Sequence, residues 1–84
     1  MINVRVLFFG ATADSVGKKE IKMALDEDVN AGKALDFIYS NVSGLFKNHN
    51  KKSLHFSINQ EYSTGSEIIS DGDELAIFTA VSGG

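Results

Sequence analysis

The 84-residue sequence contains no cysteine and no proline. Without cysteine there is no disulfide framework, no iron–sulfur ligation and no internal thiol nucleophile. No apolar run approaches the ~18 residues that a bilayer span needs. An excess of positive charge is missing too: eight Lys and Arg against eleven Asp and Glu give a formal charge of −3. Non-specific nucleic-acid binding requires a basic footprint, and the one basic stretch, Lys47 to Lys52, interleaves no aromatic residue on which a base could stack. It reads as a solvated loop. These absences predict neither a nucleic-acid nor a membrane partner. Met1-Ile2-Asn3-Val4-Arg5 enters a strand pattern directly, with no signal peptide before it, which predicts a soluble, cytoplasmic protein.

What is present suits a single small domain. Hydrophobic residues make up 43% of the chain, enough for an ordinary core and too many for a disordered segment. A domain of this size buries only about 60–65% of its unfolded surface, so stability must come from close packing.

Val4 to Phe9 is β-branched and aromatic, ends at Gly10, and reads as a strand. Val4, Val6 and Phe8 lie on one side; Arg5, Leu7 and Phe9 lie on the other. Such a strand is either covered on both faces or keeps one face for a partner. Ala11 to Lys19 is a polar connection with room for a short helical turn. Glu20 to Leu25 alternates, with Ile21, Met23 and Leu25 inward, and forms a hairpin with the first strand. Ala31, Ala34, Leu35, Ile38 and Val42 then form one helical stripe. Asp28 or Asn30 is the N-cap, and Ser43-Gly44 is the expected stop, with Gly in a left-handed turn. Leu45 and Phe46 are expected to tuck under the sheet. Leu54 to Ile58 is a third strand, Asn59-Gln60 a turn, and Tyr62 a short edge strand. Asp71-Gly72-Asp73 is a tight turn before a last strand, Glu74 to Ala80. Here Leu75 and Ile77 face inward, Ala76 and Phe78 the other way. The order predicts an α+β domain over residues 1–80, with one main helix across one face of a mixed sheet of four to five strands. The first and last strands should be central and parallel. Residues 81–84 are left as a flexible C-terminal tail.

Familiar site patterns fail on inspection. Gly10 and Gly17 are separated by six residues and Lys18 is followed by Lys19, so the phosphate loop, with four intervening residues and Ser or Thr after its Lys, is not met. Asp26, Asp28 and Asn30 begin like a calcium loop, but its sixth and twelfth positions hold Ala31 and Phe37. His49 and His55 have no neighbours at ligand spacing, and no nucleophile, base and orienting group are nominated together. The sequence therefore predicts no bound cofactor or metal and no active site inside the domain.

Two features remain. One is the ending Gly83-Gly84. A carboxylate becomes an acyl donor once joined to AMP, and a sulfur nucleophile can displace the AMP to leave a thiocarboxylate. Glycine lets such a terminus enter a narrow channel with its carbonyl uncrowded, and four extended residues reach roughly 13–14 Å. The same residues also fit a frayed terminus. The other feature is aromatic: Phe9 and Phe78, with Tyr62, fall on the sheet face opposite the helix. Such a cluster is either an interface or a face partly covered by the chain's own loops.

Read together, VRVLFFG (Val4–Gly10), SINQEY (Ser57–Tyr62), SDGDELAIF (Ser70–Phe78) and the closing VSGG (Val81–Gly84) resemble the MoaD/ThiS sulfur carriers, and within them the molybdopterin synthase small subunits. The resemblance spans nearly the whole chain and is weakest from Asp26 to Ser53. It implies a ubiquitin-like β-grasp fold. It implies that a ubiquitin-activator-like adenylyltransferase, using ATP, adenylates Gly84 and leads it to a thiocarboxylate, with Gly83 giving access. It further implies that the tail enters the synthase large subunit in a complex of two small and two large chains. There its sulfur goes to a cyclic pyranopterin precursor in molybdenum cofactor biosynthesis. The small subunit would be a sulfur donor without catalytic residues of its own, contacting partners through Phe9, Tyr62, Phe78, Val81 and Ser82. Thiazole-forming sulfur carriers and ubiquitin-like protein modifiers share this fold and ending. One departure is visible: relatives often carry proline just before the tail, where this chain has Thr79-Ala80.

Overall fold

The computed structural model describes residues 1–79. The elements run β1 (Ile2–Phe8), α1 (Ala11–Val16), β2 (Glu20–Leu25), α2 (Ala31–Asn41), α3 (Ser43–Phe46), a 3-10 turn (Lys51–Ser53), β3 (Leu54–Ile58), β4 (Glu61–Tyr62) and β5 (Glu74–Thr79). The sheet has the order β2-β1-β5-β3-β4. β1 and β5 are parallel, and the other neighbours are antiparallel. The first and last strands are thus interior and parallel, as their doubly apolar sequences predict. The expectations for the tail, Val81, Ser82, Gly83 and Gly84, and for the extension of the last strand to Ala80, fall outside the described residues.

The core lies between the sheet and α2. Alternation along β1 buries Ile2, Val4, Val6 and Phe8, and β5 adds Leu75 and Ile77. α2 meets them with Ala31, Ala34 and Ile38, while Leu35 and Val42 pack at the margin. Small residues at the first two positions let the helix sit close to the strands. β1 begins two residues earlier than expected because Ile2 pairs with Leu25 and is buried.

Of the two candidate caps, Asn30 takes the role: its side chain accepts from the Lys33 amide at 2.8 Å. Asp28 instead occupies a left-handed turn at φ 64°. The loop before β5 completes the cap. The Glu67 carbonyl accepts from the Ala31 amide at 2.7 Å, and the Gly65 carbonyl from the Gly32 amide at 2.9 Å. Three amides that a helix start leaves open are thereby satisfied. A Cβ on residue 32 would stand 3.3 Å from the Gly65 oxygen, which accounts for a glycine in a first helical turn.

Two expectations about the end of α2 need correction. The helix stops at Asn41 because Val42 turns to an extended conformation, φ −114° and ψ 102°, and no left-handed glycine is involved. Gly44 lies within α3, and its role is close approach: a Cβ there would come within 2.5 Å of the Ser15 oxygen and 2.7 Å of the Val16 Cα. α1 and α3 can touch only across a glycine. Leu45 is buried as expected, but Phe46 is exposed, because the short α3 offers only one side to the core.

Candidate functional site

Three devices hold the end of the sheet at which β1 and β5 finish. Gly10, at φ 56° and ψ −125°, turns the chain from β1 into α1 in a conformation that suits glycine. Two residues later, the fully buried Thr12 bridges both strands. Its hydroxyl accepts from the Phe9 amide at 3.1 Å and lies 2.8 Å from both the Phe9 and Ile77 carbonyl oxygens, which share its single proton. Third, β3 flanks β5 with Leu54 opposite Thr79 and His55 opposite Phe78. Thr12 was not singled out by sequence reasoning; its only signal is a small hydroxyl residue just after a strand-ending glycine.

The outer face of the sheet, opposite α2, is divided. Register places Leu7 beside Ala76, Ala76 beside Ser57, and Ser57 beside Tyr62. The adjacent row holds Phe78 and His55, with Phe9 following the last paired residue of β1. Phe78 stacks on His55 with ring centroids 5.8 Å apart and 19° between planes, and it meets Tyr62 edge-on at 5.8 Å. Phe9 and Tyr62 are 52% and 75% exposed, so the face is not covered by the chain's own loops at these positions. Of the sequence-predicted residues, Phe78 and Tyr62 are therefore brought into contact, and Phe9 is placed on the same face at the same end. His55 and Leu7 join them. The alternation of Leu54–Ile58 contains that signal for His55 once β3 is known to lie beside β5.

The other end of the outer face is ionic. Arg5 reaches Glu74 at 2.7 Å and Glu20 at 3.5 Å. Neutralised in this way, it marks the limit of the apolar area. A hollow lined by Leu7, Phe9, Gly10, Ala13 and Lys19 adjoins that area at the C-terminal end of β1.

Among the described residues no group of His, Asp or Glu side chains could hold a metal ion. No helix among the described residues is long and apolar enough to cross a membrane. The histidine left over is a structural one: His49 Nε2 lies 2.8 Å from Ser15 Oγ, and the His49 carbonyl accepts from the Tyr39 hydroxyl, joining α1, α2 and the loop after α3. Among the described residues the one clearly perturbed carboxyl, Glu67, is likewise structural. It accepts from the Thr64 amide at 2.9 Å, the Ser63 hydroxyl at 2.8 Å and the Gly65 amide at 3.1 Å, and these bonds hold its pKa down at about 2.

Comparison with known proteins agrees with this geometry. The ThiS family model matches residues 6–84. No curated protein matches the sequence significantly. Small archaeal modifier protein 1 from Haloferax volcanii superposes with a TM-score of 0.79 at 26% identity, over 98% of this chain and 99% of that one. Subunit 1 or 2 in the molybdopterin-converting factor complex from Helicobacter pylori gives 0.70 at 20% identity, over 99% and 100%. A ubiquitin from Caldiarchaeum subterraneum gives 0.67 at 12% identity, over 99% and 98%. The last two likenesses concern the fold, which is the ubiquitin-like β-grasp. With a family model covering nearly its whole length and a β-grasp core beneath it, this chain belongs to the ThiS family of ubiquitin-like sulfur carriers.

Proposed function

We propose that this chain is the sulfur-carrying small subunit of a molybdopterin synthase. Gly84 is adenylated at the expense of ATP, releasing pyrophosphate. A sulfur nucleophile displaces AMP to give the thiocarboxylate, and that sulfur is donated to a cyclic pyranopterin precursor within the large subunit. Val81, Ser82 and Gly83 thread the partner's channel, while Phe9, Phe78 and Tyr62 seat the domain on the partner's surface. The domain binds no cofactor itself. The activating enzyme resembles the ubiquitin activators, and the reactions belong to the cytoplasm.

The observation that carries this reading is the position of the exposed aromatic cluster. It lies on the outer face at the end where β5 finishes, the strand that leads to Gly83-Gly84. Apolar aromatics at an uncovered surface are the usual anchors of protein interfaces. A partner gripping them also stands over the root of residues 80–84.

The likeness to a small archaeal modifier protein at 26% identity favours a second reading, in which the activated terminus is transferred to lysines of other proteins. Mass spectrometry of the chain co-expressed with its activating enzyme separates the two. A terminus in which sulfur has replaced one oxygen, and whose sulfur is lost on addition of large subunit and precursor, is the expected result. Lysine adducts in place of sulfur release would transfer the assignment to the modifier, and an unmodified terminus would overturn both.

A further inference from the structure

The formal charge of −3 conceals a separation of charge along the sheet axis. The end where β1 and β5 finish gathers five of the seven lysines. Lys18 and Lys19 precede β2, and the Lys19 carbonyl accepts from the Phe8 amide at 2.9 Å. Lys47 caps α3, whose following loop is joined to α1 by the Ser15–His49 contact. Lys51 and Lys52 form the 3-10 turn directly before Leu54, the residue opposite Thr79. All five are exposed. The carboxylates at this end are Asp14, Glu20 and Asp36. Glu20 is engaged by Arg5 and Asp36 by Lys51.

The opposite end is as strongly negative. Asp26, Glu27 and Asp28 follow β2, Glu61 begins β4, and Asp71, Asp73 and Glu74 lead into β5. Glu67 lies on the loop bonded across the start of α2. Facing these eight carboxylates are Arg5, which is spent on Glu74, Lys33 and, where it is free, the amino group of Met1. A chain with a net negative charge thus turns a positive end toward whatever receives residues 80–84.

We infer that the lysines around the root of the tail form an electrostatic docking collar, complementary to an activating enzyme whose tail-binding channel is ringed by Asp and Glu. The inference rests on the proposed function, because it assumes that a partner takes up the terminus. Opposed charges of this kind raise the rate of productive encounter and orient the approach, while apolar contacts such as those of Phe78 determine how long the complex lasts. An acidic mouth would orient the whole domain before the tail enters.

The test is the association rate with the purified activating enzyme of the same organism, followed by stopped-flow fluorescence from about 20 mM to about 500 mM NaCl, where the screening length falls from roughly 20 Å to a few Å. Wild type should associate more slowly as salt rises. The variant Lys18→Glu/Lys19→Glu/Lys47→Glu/Lys52→Glu should lose at least about tenfold in association rate at low salt and most of its salt dependence. Its circular dichroism and end-point sulfur loading at saturating enzyme should be unchanged. Should the quadruple variant not fold, Lys47→Gln/Lys52→Gln should still reduce both rate and salt slope. Glu27→Lys, at the negative end, should leave the rate within about twofold of wild type.

Normal sulfur loading with an unchanged rate and slope in the lysine variants would overturn the collar alone. So would an effect of Glu27→Lys as large as theirs, which would reduce the phenomenon to net charge. A wild-type chain that never acquires sulfur would overturn the functional proposal and the collar with it.

Discussion

The two faces of the sheet are built by the same strands and serve different ends. On the inner face, Val6, Leu75 and Ile77 have no solvent exposure. On the outer face the same strands carry Arg5 and Glu74 in an ion pair at one end, and Leu7, Phe9 and Phe78 at the other. Period-two alternation is all that separates them. A residue that sets stability can therefore sit next in sequence to one that contributes less to it and is available for recognition. Ile77 and Phe78 are the sharpest case. The first is wholly buried beneath α2, and the second stacks on a histidine and meets an exposed tyrosine edge-on.

This contrast can be broken from either side. The largest effect is expected on the inner side of the molecule. Gly44→Ala drives a Cβ into the backbone of α1, and Ile38→Ala empties the centre of the α2 contact. Each should cost about 2–4 kcal/mol in urea unfolding, with the slope of the transition retained. A loss below ~1 kcal/mol for Gly44→Ala would mean that the α1–α3 approach relaxes easily.

On the outer side, Phe78→Ala should weaken binding to the large subunit by about 1–3 kcal/mol, read by calorimetry. Its thermal midpoint should move far less than that of Ile38→Ala. Equal damage to stability by both would erase the division of the faces. Asn30→Ala should cost about 1 kcal/mol of stability, the usual worth of a helix cap, without touching partner affinity.

Glu67 sharpens the comparison through pH. Its carboxyl titrates at about 2 in the folded chain, below the value of 4.5 expected without its hydrogen bonds. The folded state therefore holds the anion more firmly than the unfolded state does. The stabilisation is complete above pH ~4.5 and is lost as pH falls through about 2. Glu67→Gln should lower stability at neutral pH and flatten its decline in acid, as chemical denaturation at several pH values would report. The smallest effect belongs to Arg5→Ala. Its ion pairs are half exposed, and the change should stay within about 1 kcal/mol at low salt and vanish at high salt.

Much of this structure could be read directly from the sequence. β2 and β3 have the predicted limits because each is an unbroken alternation closed by charged or turn-forming residues. The α2 stripe and the outer placement of Phe9 and Phe78 followed from the two periodicities, whereas the two-residue β4 is too short for alternation to place Tyr62. The function of Gly44 could not be read in this way. Glycine after a helix suggests a left-handed stop, and only the approach of Ser15 and Val16, nearly thirty positions away, shows a packing constraint. Phe46 was misplaced for a related reason: a four-residue helix is too short for periodicity to define its buried side. Thr12 and His55 were missed because each acquires its role through β5, and local patterns carry no record of which strands become neighbours.

β5 is also the last strand of the sheet to be made and the one in its middle. Until it is present, the β1–β2 hairpin and the β3–β4 hairpin share no strand pairing. The sheet closes by long-range contacts, such as Arg5 opposite Glu74, of the kind that slows folding and makes it cooperative. A nascent chain interrupted before Glu74 would hold two unjoined hairpins and a helix whose floor lacks its middle strand. Arrival of β5 and closure of the sheet are thus one event, an all-or-nothing inspection that the fold passes before the domain can be put to work.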